Sequence, residues 1–121
     1  MFRFEKLEVW QKSIDFADLV YKITRSFPDD ERFGLTSQMR RAAVSVSSNI
    51  AEGSSRFSNS DFARFLEIAT GSVFEVVSQS FISRRQSFLN EDNFHRLYAV
   101  AEEQGRMLSG LRTSLFPPTR A

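Results

Sequence analysis

Apolar residues recur along most of the chain at alternating spacings of three and four, which is the period of one helix face. Three polar segments interrupt this pattern: SFPDDERFG at 26–34, GSSRFSNSD at 53–61, and a short one near 88–91. The uninterrupted segments predict four helices, over about 6–26, 36–52, 60–88 and 91–115. Because short connections favour antiparallel neighbours, the pattern predicts an all-α fold, an antiparallel up-and-down four-helix bundle.

The residues at the interruptions are typical of helix ends. Pro28 discourages helix in the residue before it. Gly53 is well placed to end the second helix in a left-handed conformation. Ser58 stands three residues before Asp61, the spacing of a capping box, and Asn90 is the best N-cap for the fourth helix.

The first helix carries two apolar sets on adjoining faces. One set is Leu7, Trp10, Ile14, Ala17 and Tyr21; the other is Val9, Phe16, Val20 and Ile23. Together they span roughly 200°, about twice the usual core-facing stripe. We therefore predict that Val9, Phe16, Val20 and Ile23 form an oligomer interface, because a large apolar surface on a soluble protein usually marks one. The alternative is a helix set deeply within its own bundle.

The second helix has a narrow stripe of small apolar residues, which lets two helix axes approach closely. Asn49 lies at the edge of that stripe, so we expect it to fix register by a hydrogen bond to a neighbouring helix. Glu52 lies at the helix C-terminus, where the helix dipole disfavours an anion, and we expect an arginine partner for it.

The third helix begins with a clean apolar stripe, but its later turns place Ser80, Ser83 and Ser87 on the same face. Either the stripe shifts around the helix or this end opens to water. The fourth helix is regular, with apolar residues on one side. The tail, residues 116–121, is expected to fray.

The 121 residues make one ordinary domain, 1–121, with 41% hydrophobic and 26% charged residues. The absence of cysteine excludes disulfides and thiolate chemistry and suits the cytoplasm. No leader and no segment of roughly 18 uncharged apolar residues is apparent, so we expect no membrane association.

The charge is nearly balanced, with 16 basic and 15 acidic residues, so any basic surface must be local. Thirteen of the basic residues are arginine, which pairs with phosphates in a bidentate fashion. The candidates for nucleic-acid binding are the pairs Arg40–Arg41 and Arg84–Arg85, together with Arg56. The competing interpretation is an ordinary solvated helix face.

Enzymatic interpretations find little support. His95 is the sole histidine, and a polar part of the fourth helix places it at the surface. There is no zinc ligand set, no phosphate-binding glycine loop and no nucleophile elbow. We expect no cofactor, no metal and no catalytic residue.

Three segments carry a family resemblance: FEKLEVWQKS, FPDDERFGLTSQMRRAAVSVSSNIAEGSSR and FLEIATGSVFEV. They resemble the 23S rRNA intervening-sequence proteins, also called S23 ribosomal proteins, a bacterial family of four-helix bundles, from Phe4 to about Leu115. That family is similar to the accessory protein of diversity-generating retroelements, which forms pentameric barrels and works with a reverse transcriptase and RNA. The resemblance implies a homopentamer whose partner is RNA or a reverse-transcriptase-like protein.

The chain departs from the family pattern at a few positions. The family usually has proline at Ser47, an acidic residue at Val77, an aliphatic one at Ser80, and small or apolar ones at Ser83 and Gln86. The third helix therefore keeps the family's residue pattern at its start and departs from that pattern in its later half.

Two function classes follow. The preferred one is a non-enzymatic oligomeric binder of RNA, or of a nucleic-acid-handling protein, through arginines repeated around a ring. The alternative is a protein interaction scaffold that binds through apolar surface and makes no direct contact with nucleic acid.

Overall fold

The computed structural model describes residues 1–118, which form helices and no β-strand. The four long helices are α1 (Glu8–Thr24), α2 (Leu35–Ser54), α3 (Asn59–Arg85) and α4 (Glu91–Ser114). Short 3-10 helices at Arg3–Lys6 and Asp29–Glu31 precede α1 and α2. The predicted four-helix fold is confirmed, with helix ends within three residues of those expected. Residues 119–121 of the tail expected to fray lie outside the described part.

The helices pack as a closed ring in the order of the chain, because α1 contacts α2 and α4, and α3 contacts the same two helices. Contacts between helix ends establish the up-and-down arrangement. Phe27 after α1 packs on Phe88 after α3, with ring centroids 5.9 Å apart. At the opposite end, Asn59 donates a hydrogen bond to the carbonyl of Leu115. We call the end with Phe27 and Phe88 the upper end and the other the lower end.

Close packing of α2 on α3 holds the ring together. Ala42, Ala43 and Val46 are buried on α2. Gly53, which was expected to end α2 in a left-handed conformation, is helical and buried, so that prediction was wrong. A Cβ atom at Gly53 would lie 2.7 Å from the Cβ of Phe65 and 3.0 Å from a ring carbon of Phe62. The glycine is therefore required by the approach of the two helices.

The predicted oligomer interface on α1 is wrong. Val9, Phe16, Val20 and Ile23 are at most 5% exposed and belong to the core of the bundle itself. The other set of α1 is the outer one, since Ile14 and Tyr21 are exposed while Leu7, Trp10 and Ala17 pack at the rim of the core. Most of the wide apolar arc is covered because α1 lies between α2 and α4, as the alternative interpretation held, and Ile14 and Tyr21 remain at the surface.

The later half of α3 neither shifts its stripe nor opens to water. Ser80 and Ser83 are fully buried. Their hydroxyls donate to carbonyls of the preceding turn, at 2.6 Å to Val77 and 2.8 Å to Gln79. Serine can occupy the core here because the helix backbone satisfies its hydroxyl. Ser87 is exposed beyond the end of α3.

Asn49 bonds within its own helix instead of to a neighbour, which corrects the prediction. Its amide donates to the carbonyl (2.8 Å) and hydroxyl (3.0 Å) of Ser45. The hydroxyl of Ser72, on α3, donates to the same Ser45 oxygen at 2.9 Å. Ser45 therefore makes the link between α2 and α3, and Asn49 orients it.

The expected partner of Glu52 and the N-caps Ser58 and Asn90 are confirmed, but within residues 1–118 the Asp61 side chain does not make the reciprocal hydrogen bond that would complete a capping box. Glu52 pairs with Arg56 at 3.1 Å. Ser58 accepts a hydrogen bond from the backbone N–H of Asp61, and Asn90 accepts one from that of Asn93. These caps satisfy orphan donors at the first turns of α3 and α4.

Contrary to the expectation that no segment approaches a spanning helix, α3 is long and apolar enough to cross a membrane by length and composition. Those two criteria are weak evidence, because core helices of soluble proteins also meet them. In the described residues α3 packs against α2 and α4 and buries polar Ser72, Ser80 and Ser83.

We predict that Gly53→Ala lowers the free energy of unfolding by about 1–3 kcal/mol, because the added methyl overpacks the contact with α3. Gly71→Ala is the matched control, since a Cβ at that exposed helical position meets nothing within 4 Å. It should raise stability by about 0.5–1 kcal/mol through helix propensity. Urea unfolding measures the free energy of unfolding of both variants. If both substitutions change it by the same amount, the close approach of α2 to α3 at Gly53 is contradicted.

Candidate nucleic-acid interface

A groove of about 490 Å³ lies at the upper end between α1 and α2. Three arginines and two aromatic residues contribute to its lining, and no acidic residue does. The lining residues are Tyr21, Arg32, Phe33, Thr36, Ser37, Arg40, Arg41 and Val44. We call this the α1–α2 groove.

The turn before α2 contributes two exposed side chains, Arg32 and Phe33, to the lining of the groove. The side chain of Glu31 accepts a hydrogen bond from the backbone N–H of Leu35 at 3.1 Å, which caps the start of α2. A Cβ atom at Gly34 would lie 2.8 Å from a carboxylate oxygen of Glu31, so glycine leaves room for this cap. Arg32 and Phe33 fall between the two and are exposed, Phe33 to 87%.

Arg40 is a fixed cation on the seam of α1 and α2. Its Nε donates to the hydroxyl of Thr24 at 2.9 Å, and its guanidinium lies 4.6 Å from the ring centroid of Tyr21. A longer contact of 3.4 Å reaches the Tyr21 carbonyl. The side chain is half-buried and has no carboxylate partner within residues 1–118. Its charge is therefore oriented by neutral groups and stays unneutralised.

Arg32 and Arg41 are the adaptable cations of the groove. Both are exposed, and neither guanidinium makes an ion pair or a hydrogen bond to the part of the chain that is described. The guanidinium of Arg32 lies 5.3 Å from the ring centroid of Phe33. Guanidinium donors of this kind match the oxygens of a phosphate.

The five arginines predicted for nucleic-acid binding do not form one surface. Arg40 and Arg41 share the α1–α2 groove. Arg56 lies at the lower end, paired with Glu52 and 4.6 Å from the ring centroid of Phe65.

Arg84 lies at the upper end but on the α4 side of the ring. It is 3.6 Å from a carboxylate oxygen of Glu91 and 3.8 Å from the ring centroid of Phe94. Arg85 is exposed at the last residue of α3. Of the predicted arginines, therefore, only the first pair shares a concave surface with other basic residues.

Sequence reasoning missed Tyr21, Arg32 and Phe33 as groove residues. Tyr21 was assigned to the core-facing set of the first helix, and the other two were read as part of a helix break. An arginine beside an aromatic residue in a short polar turn was the available signal. The same break also contains Phe27, which is buried, so the exposure of Phe33 follows from the folded turn and not from the sequence pattern.

A second groove, of about 460 Å³, lies between α3 and α4 and is apolar. Phe74 is 69% exposed there, and Phe81 and Tyr98 are exposed as well. Glu102 and Arg106 contribute the opposite charges of its lining. We call this the α3–α4 groove.

The described residues contain no cluster of three or more histidine, cysteine or acidic side chains suited to a metal ion. His95 is exposed, as predicted, and its Nε2 lies 3.4 Å from a carboxylate oxygen of Glu91. What the α1–α2 groove offers chemically is positive charge, hydrogen-bond donors and one open aromatic ring.

Comparison with known proteins identifies relatives of the chain. The profile of the family described as 23S rRNA-intervening sequence protein matches residues 5–110. The chain is similar in fold to a crystal structure of a protein of unknown function from the S23 ribosomal protein family of Bacteroides thetaiotaomicron. The TM-score is 0.77 at 22% identity, over 86% of this chain and 97% of that one. Among curated proteins nothing matches the chain.

Proposed function

The chain belongs to the 23S rRNA-intervening sequence protein family, and we propose that it is a non-enzymatic, oligomeric RNA-binding protein whose contact surface is the α1–α2 groove. The observation that carries the proposal is the set of three arginines in one groove with no carboxylate in its lining. A chain with a net charge of only +1 gains no general attraction for nucleic acid. A local site is therefore needed.

The distribution of ion pairs supports this choice of surface. Arg56, Arg84 and Arg112 are each paired with a glutamate, whereas the groove arginines, like exposed Arg64, Arg85 and Arg96, make no ion pair within residues 1–118. What sets the groove apart is that three such arginines share one concave surface. Paired arginines would have to lose a partner before binding a phosphate. Arg40, Arg41 and Arg32 would bind phosphate without that loss, with Arg40 already oriented by Thr24.

One groove offers few phosphate contacts, so useful affinity requires repetition of the groove in an oligomer. A homopentamer is what the family resemblance implies. Since the α1 residues first assigned to the interface are in the core, we assign self-association to the α3–α4 groove. Its exposed Phe74 and Phe81 and its oppositely charged Glu102 and Arg106 suit a second copy of the chain better than a polyanion.

A second candidate function is a protein interaction scaffold without nucleic-acid contact. The observation that favours it is the same apolar α3–α4 groove, which a partner protein could cover in place of another copy. In that case the arginines of the α1–α2 groove would serve solubility alone.

We predict that the double variant Arg32→Glu/Arg41→Glu lowers affinity for structured RNA at least tenfold. Each lost phosphate contact should also reduce the slope of log affinity against log salt by about 0.7–0.9. Fluorescence anisotropy with labelled RNA across a salt series measures both quantities, and duplex DNA of equal length tests preference for RNA.

The matched control is the double variant Arg64→Glu/Arg96→Glu, which changes two exposed arginines of α3 and α4 outside the groove. It changes the net charge by the same amount and should reduce affinity much less. Equal losses from both changes would mean that charge alone matters and would contradict the groove assignment. Absence of RNA binding by the wild type at low salt would favour the scaffold.

We predict that the wild type sediments as an oligomer at micromolar concentration and that Phe74→Glu shifts it toward the monomer, because a charge would be buried in an apolar contact. Sedimentation equilibrium measures the mass. Phe57→Glu is the control, since Phe57 is fully exposed at the lower end, outside the groove. A monomeric wild type would refute the oligomer, and an unchanged Phe74→Glu mass would refute the assigned interface.

A further inference from the structure

The α1–α2 groove holds an apolar ring that nothing in residues 1–118 buries. Phe33 is 87% exposed in a groove otherwise lined mainly by arginine and hydroxyl side chains. The bundle core does not include it. The guanidinium of Arg32 lies 5.3 Å from the ring centroid. An exposed phenylalanine among cations has the chemistry of a stacking platform for a nucleic-acid base.

Tyr21 differs from Phe33 although both line the groove. The guanidinium of Arg40 lies 4.6 Å from the Tyr21 ring centroid and is held there by its hydrogen bond to Thr24, and Tyr21 is 38% exposed. Phe33 is 87% exposed, and the Arg32 guanidinium near it makes no hydrogen bond or ion pair within residues 1–118. Phe33 is therefore the ring of the groove that is more open to a base.

Resting on the proposed function, we infer that the α1–α2 groove takes unpaired RNA, with one base stacked on Phe33 and the flanking phosphates bound by Arg40 and Arg41. An unpaired base presents its face to a side chain, whereas the bases of an A-form duplex are covered by their neighbours. A duplex could use the arginines of the groove but would leave the Phe33 ring without a partner.

The charges around the groove also favour a single strand. Exposed Asp29 and Asp30 occupy the turn that leads to Arg32. Phe33, Arg40 and Arg41 line the groove, whereas neither aspartate does. A single strand that contacts these three residues stays within a lining free of carboxylates, and we expect the aspartates outside it to repel a second phosphate backbone.

The test compares a short single-stranded RNA with a blunt duplex RNA of the same sequence. The wild type should bind the single strand more tightly. Phe33→Leu should weaken single-strand binding by about 5- to 100-fold, the effect of losing one stacked base, and change duplex binding little. The salt slope should stay the same because no charge is removed. Phe33→Trp should retain binding, and Phe57→Leu should leave it unchanged.

The outcomes separate this inference from the proposed function. If Phe33→Leu binds the single strand as the wild type does while Arg32→Glu/Arg41→Glu loses binding, stacking is refuted and the arginine site stands. If the arginine variant also binds normally, the proposed function itself fails. If Phe33→Leu instead lowers the sedimenting mass, Phe33 is a subunit contact and the inference is wrong.

Discussion

The close approach of α2 to α3 is the contact on which the other features depend. Small side chains and Gly53 bring the two helix axes together, and the Ser45–Ser72 hydrogen bond fixes their alignment. With its small face turned inward, α2 must present Arg41 on its outer face and Arg40 at the seam with α1. The packing of α2 on α3 thus determines where the cations lie.

The distribution of charge gives a nearly neutral protein a basic site. Three arginines outside the groove are paired with glutamates, as Arg112 is with Glu67 at 2.7 Å. In the groove, Arg40 is oriented by neutral partners, a hydroxyl and an aromatic ring, and Arg32 lies near the Phe33 ring. Neutral partners hold a guanidinium in place without cancelling its field, which is the arrangement that a phosphate-binding surface requires.

Much of the fold was predictable because periodicity, caps and breaks are local signals. Asn90 and Ser58 cap helices as expected, and the narrow stripe of α2 was evident. The orientation of α1 was not predictable, since both of its faces are apolar and only the position of α4 decides which is buried. Gly53 was misread because a close approach and a left-handed turn both call for glycine. Only part of the groove could be predicted from the sequence. Arg40 and Arg41 are adjacent in the chain, whereas Tyr21 and Phe33 come to lie beside them only when α1 packs on α2 and the turn before α2 has formed.

Ultraviolet crosslinking of the wild type to a short unpaired RNA, followed by mass spectrometry of the crosslinked peptides, would locate the RNA-binding surface. Crosslinks should be concentrated in the peptides that contain Phe33, Arg40 and Arg41, at the upper end between α1 and α2. Crosslinks confined to α3 and α4, or spread evenly over the exposed arginines, would contradict the assignment of RNA binding to the α1–α2 groove.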